Sequence, residues 1–185
     1  TIPVKNFTTK KDEMKPVVRL TWELVNTSHV FKEENGPEPF TISQDYTLSM
    51  NKKAKLRKHL ESWSGANFTE DQAKKFNIAK VLDRACLVNV VHKPSQSNGN
   101  IYANIAAITP VPAGVTVPEP KSPILKFAWK HPSTKENFMA EEFGKLPKFL
   151  QEKIESSNEY KALGGDPAAN TPFAAATVSG DSLPF

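Results

Sequence analysis

One cysteine, Cys86, occurs in 185 residues, so no disulfide can form within the chain. Such usage fits a reducing compartment. No apolar run approaches the roughly 20 residues of a membrane-spanning helix, so no membrane partner is expected. No secretory leader is expected either. Catalytic motifs are also missing. The sequence has no Walker loop, GxGxxG or GxSxG. His29, His59, His92 and His131 are scattered without metal-ligand spacing, and Asp and Glu form no DxD-type cluster. These absences argue against an enzyme and against a metal or other cofactor.

Lysine and arginine are plentiful and unevenly placed. Residues 1–134 carry 19 Lys/Arg against 12 Asp/Glu, whereas residues 135–185 carry 5 against 8. A basic body with an acidic end points to a polyanion partner for the body, although ordinary surface charge for solubility reads the same numbers.

Two stretches alternate with period 2. In residues 16–26, Val18, Leu20, Trp22 and Leu24 share one face, and Val17, Arg19, Thr21 and Glu23 share the other. Residues 40–50 alternate likewise, with Phe40, Ile42, Tyr46, Leu48 and Met50 on the apolar side. Two half-buried strands joined as a hairpin are expected, with Asn35-Gly36 and two prolines in the loop. The period then changes. Leu56, Leu60 and Trp63 fall at helical spacing after Asn51 as cap, and Gly65 ends the segment. Thr69 with Gln72 predicts a capping box on a second short helix. "CLVNVVH" from Cys86 and "IYANIAAIT" from Ile101 read as two more strands around a loop. Five prolines in residues 110–123 mark an extended connector. "ILKFAWK" reads as one more short strand or a strap. Residues 140–163 read as helices broken around Pro147, and residues 164–185 as a disordered linker with a tip.

Strand, strand, helix, strand, strand is the order of an OB-fold that lacks its first strand or keeps it reduced to residues 2–7. The chain starts abruptly at Thr1, which fits a shortened front. The expected fold class is therefore mainly β: an OB-fold-like antiparallel barrel with an inserted helix, a C-terminal helical segment and a disordered tail. The expected domains are 1–112, a connector at 113–139, helices at 140–163 and the tail from 164.

Single-strand binding pairs a basic groove with aromatic platforms for bases. The phosphate candidates are Lys52, Lys53, Lys55, Arg57 and Lys58 in "KKAKLRK", extended by Arg19 and Lys93. The stacking candidates are Tyr46, Trp63, Phe68 and Tyr102. Trp22 reads as core, and Tyr46 shares the apolar face, so packing competes with stacking there. Tyr102 lies opposite the face of Ile101, Ala103 and Ile105 and is the stronger candidate. At the end, "DSLPF" offers Asp181, Leu183, Pro184 and Phe185 on a tether. Such a tip fits capture of a ring in an apolar pocket and of a carboxylate at its rim.

"GDSLPF" resembles the acidic "DDIPF" tip of bacterial single-stranded DNA-binding proteins, which recruits replication and repair enzymes; here only Asp181 is acidic close by. The body resembles a bacteriophage-encoded family of small single-stranded DNA-binding proteins. The resemblance lies in "YTLSMNKKAKLRKHLESWSGANFTED" (residues 46–71) and "ACLVNVVHKPSQSNGNIYANIAAITPVPAG" (residues 85–114). In that family a further strand precedes the point where this chain begins. The resemblance implies an OB-like fold, single-stranded DNA as partner, work in phage DNA replication or recombination in the cytoplasm of the infected host, and no catalytic residue. A homodimer is compatible with it. The competing expectation is a protein-binding adaptor using residues 140–163. A nucleic-acid-processing enzyme is the third.

Overall fold

The computed structural model of the chain describes residues 2–5, 11–95, 98–129, 134 and 136–162. In chain order the elements are β1 (Ile2–Lys5), β2 (Asp12–Lys15), β3 (Val17–Val30), β4 (Pro37–Thr47), α1 (Lys55–Ser64), α2 (Glu70–Lys75), β5 (Leu87–Pro94), β6 (Ile101–Thr109), α3 (Ala140–Gly144), α4 (Lys148–Glu155) and α5 (Asn158–Ala162). They form two compact units. One is Val17–Ile124; the other joins the first 16 residues to those from Leu125 onward.

In the Val17–Ile124 unit, β3 and β4 pair antiparallel with Val18 opposite Tyr46, Leu20 opposite Gln44 and Trp22 opposite Ile42. Alternation puts these on one face, and that face is the core side. The opposite face carries cross-strand polar pairs: Arg19 with Asp45 and Thr21 with Ser43. β5 and β6 form a second antiparallel hairpin, with a bulge between Asn89 and Val90. One core gathers Trp22, Ile42, Tyr46, Leu56, Leu60, Ile105 and Ile108 from both hairpins and α1.

The turn chemistry follows the expected residues in most places. Gly65 closes α1 in the left-handed region at φ 71°, and its N–H reaches back to Glu61 and Ser62. Thr69 and Gln72 form the capping box of α2. The cap of α1 is different: Ala54 holds the N-cap position, while Asn51 Oδ1 accepts from Lys53 N in the preceding turn. "ILKFAWK" forms no strand among its described residues. Before it, the Pro-rich connector runs across the outer face of β3, where the Glu23 carboxylate accepts from the N–H groups of Lys121 and Ser122 at 2.8 and 2.7 Å.

The strands pair as three separate two-stranded sheets, so no closed barrel forms among the described residues. β3–β4 and β5–β6 share a side-chain core with α1, but no backbone ladder joins them. Residues 2–5 do not supply a first strand to that core. They pair with β2, in the other unit.

That other unit has its own aromatic core. Phe138, Phe143 and Tyr160 are buried, with Phe127, Trp129, Leu146 and Ile154 packed on them. Trp129 and Phe138 meet edge to face at 5.0 Å. α3 and α4 break around Pro147 as expected, and α5 follows after Ser156 and Ser157. The boundary between the two units falls after Ile124, and Phe127 and Trp129 belong to this second core.

Candidate nucleic-acid interface

The expected site residues fall into three groups. The first is structural. Tyr46 is 3% exposed, and its hydroxyl meets His59 Nδ1 at 2.8 Å. Burial pushes its phenol well above the ordinary range. A base has no ring face to stack on there, which corrects the stacking role. Arg57 is 2% exposed. Its guanidinium donates to Glu61 Oε1, Glu70 Oε1, Met50 O and Phe68 O at 2.6–3.1 Å. It ties α1 to the start of α2 and is not part of a phosphate track. Trp63 packs on Trp22 with ring centroids 6.1 Å apart and donates its indole N–H to Ala85 O. Phe68 stacks on Phe76 at 5.1 Å and also packs on the core.

The second group is basic and outward. Lys52, Lys53, Lys55 and Lys58 are exposed around the start of α1. Lys52 lies 3.6 Å from Glu70. Lys55 Nζ donates to Gln44 Oε1 at 2.9 Å, and partial burial holds its amine below the ordinary value. Arg19 is paired with Asp45 across the β3–β4 ladder, its Nε 2.6 Å from Oδ1. That partner lowers its worth as a phosphate contact.

The third group lies on β5–β6. Lys93 and Tyr102 are directly opposed in the ladder. The core residues Val90 and Ile105 face the other way by alternation, so Lys93, Tyr102, Val91 and Asn104 share the outer face. Tyr102 is 49% exposed. Its hydroxyl accepts from Asn98 Nδ2 at 3.0 Å, which anchors the ring edge and leaves the face open. Hydrogen bonds from Asn98, then Asn100, lower its phenol. The loop that sets this geometry is tight: Gly99 sits at φ 70°, and its N–H donates to Ser95 O at 2.9 Å.

Sequence reasoning missed two features. Residues 84–118 contain no Asp or Glu, so nothing on this hairpin repels a phosphate. The signal was present in the charge distribution along the chain. Asn98, Asn100 and Asn104 around Tyr102 were read only as loop or strand residues. By contrast, β3–β4 and its turn carry Glu23, Glu33, Glu34, Glu38 and Asp45 against Arg19 and Lys32. Among the described residues no hydrogen bond or ring contact joins the α1 lysines to Lys93 or Tyr102. The tip residues Asp181, Leu183, Pro184 and Phe185 lie outside the described residues. Among the described residues no group of three metal-ligating side chains converges, and no helix is long and apolar enough to cross a membrane.

No protein family matches the chain, and neither curated proteins nor solved structures give a significant match.

Proposed function

We propose that the Val17–Ile124 unit binds single-stranded DNA without sequence readout, through the outer face of β5–β6. The observation that carries this reading is the opposition of Lys93 and the half-exposed Tyr102 on a hairpin free of carboxylates. Tyr102 offers a stacking face, Lys93 a phosphate contact, and the asparagines offer hydrogen bonds to bases or sugars. Lys52, Lys53 and Lys58 add a sequence-independent electrostatic term. Two hairpins and a helix on one core are consistent with an open OB-like arrangement, and in OB-folds the loop between the last two strands commonly contacts oligonucleotides. The family resemblance assigns the work to phage DNA replication or recombination in the host cytoplasm. The separate resemblance of the tip to that of bacterial single-stranded DNA-binding proteins assigns partner recruitment to Asp181, Leu183, Pro184 and Phe185.

Fluorescence anisotropy of labelled oligo-dT and of a duplex, over a salt series, tests the reading. Binding of oligo-dT that exceeds duplex binding, falls steeply with salt and persists after deletion of residues 182–185 supports it. Equal or absent binding at low salt favours the adaptor reading. Against the adaptor reading, α3–α5 turn Phe143, Leu146, Ile154 and Tyr160 into their own core, away from a partner.

A further inference from the structure

The turn of β3–β4 holds an aromatic cluster that the DNA reading does not use. His29, Phe31 and Phe40 pack together, with centroids 5.1 Å (His29–Phe31), 5.2 Å (Phe31–Phe40) and 5.9 Å (His29–Phe40) apart. Phe31 and Phe40 remain 37% and 41% exposed, and the neighbouring Val30 46%. The rim is acidic. Glu33 and Glu34 are exposed in the short 3-10 turn after Lys32, and Glu38 stands opposite His29 in the ladder. An exposed apolar patch rimmed by polar groups marks an interaction site. Three carboxylates against one lysine exclude a polyanion and select a cationic partner surface.

The same unit carries a surface of the complementary kind. The stacked Phe68 and Phe76 line an open cleft of about 460 Å³, together with Asp71, Gln72, Lys75 and Lys80. Lys75 and Lys80 are exposed at its edge. One surface is aromatic and acidic and projects at a turn; the other is a shallow aromatic surface edged by two lysines and Asp71.

We infer that the β3–β4 turn of one copy docks in the Phe68/Phe76 cleft of a second copy. Phe31 and Phe40 would meet Phe68 and Phe76, and Glu33 and Glu34 would pair with Lys75 and Lys80. The two patches differ, so the contact is heterologous and repeats from copy to copy instead of closing a two-fold dimer. It involves none of Lys93, Tyr102 or the α1 lysines, and it is testable without nucleic acid.

The experiment is sedimentation velocity of the full chain across protein concentration, without DNA. It compares wild type, the tip variant Glu33→Lys/Glu34→Lys and the cleft variant Lys75→Glu/Lys80→Glu. All four positions are exposed, and far-UV circular dichroism checks that the variants fold. Wild type is expected to gain mass with concentration at about 0.05 M salt and to lose it at about 1 M, where the screening length shrinks to about 3 Å. Each variant alone sets like charges against each other and stays monomeric. An equimolar mixture of the two restores opposite charges at both contacts and recovers association. A wild type that stays monomeric at low salt overturns the inference. So do variants that associate like wild type, or a mixture that stays monomeric.

Discussion

Arg57 belongs to the basic run that composition alone assigns to a polyanion, yet its side chain is inside the fold. Its neighbour Lys58 is exposed, so helical phase separates two adjacent cations into a staple and a surface charge. Arg57→Met is expected to lower the thermal midpoint clearly, while Lys58→Met leaves it near wild type; differential scanning calorimetry checks both. Arg57→Lys does not rescue, because one ammonium cannot reproduce a planar fork with four acceptors. Glu61 and Glu70 sit below the ordinary glutamate value of 4.5, each chiefly through the hydrogen bond from Arg57. A lowered carboxylate contributes stability that is full above its ordinary value and lost as pH falls through the lowered one. His59 adds an earlier step. Burial, then Lys55, lowers its imidazole from 6.5, so the unfolded chain takes up that proton first and stability falls below that pH. Urea midpoints against pH are therefore expected to decline from about pH 6.5 downward. His59→Gln should remove the upper part of that decline, and Arg57→Met the part below 4.5. Tyr46→Phe leaves His59 Nδ1 without its partner and costs about 1–3 kcal/mol.

At the scale of elements, local signals were readable at Gly65 and at Thr69 with Gln72, but not at Asn51, whose side chain serves the turn before α1 while Ala54 takes the cap position. A Cβ at Gly65 would have room, its nearest neighbour being Pro110 Cγ at 3.8 Å, so Gly65→Ala tests backbone conformation alone. The expected loss is about 1–2 kcal/mol by urea unfolding, with Gly65→Asn costing less. Thr69→Ala removes one half of the capping box and costs about 1 kcal/mol. The strand faces were equally legible, because period-2 alternation put Val18, Leu20 and Trp22 together before any pairing was known. What could not be read was how hairpins join. Alternation specifies a buried face, and that face is satisfied equally by a continuous ladder or by two hairpins around a helix. Leu56 and Leu60 of α1 fill that space, and the backbone ladders stay separate. The same ambiguity hid the place of residues 2–5: four residues pair with any free edge, and they pair with β2.

Across the whole molecule, charge is segregated within a single unit. The β3–β4 turn is acidic, the surroundings of α1 are basic, and β5–β6 has no carboxylate at all. The net value of +4 conceals this, and so does the division into a basic body and an acidic end. Stacking candidates were partly legible for the same reason that strand faces were. Tyr46 and Tyr102 differ only in which face alternation gives them, and the structure buries the first and exposes the second. The asparagines that hold Tyr102 were invisible because their roles depend on a turn set by Gly99.

Anisotropy of labelled oligo-dT over a salt series with wild type, Tyr102→Ala, Lys93→Gln and Phe149→Ala tests the hairpin face most directly. Phe149 is a 44% exposed aromatic in the other unit and serves as the control. Tyr102→Ala is expected to weaken binding about ten-fold at every salt concentration. Lys93→Gln should lower the slope of log affinity on log salt by about 0.7. Phe149→Ala should bind as wild type. If wild type binds and both hairpin variants bind identically to it, DNA does not lie on β5–β6 and the account is contradicted.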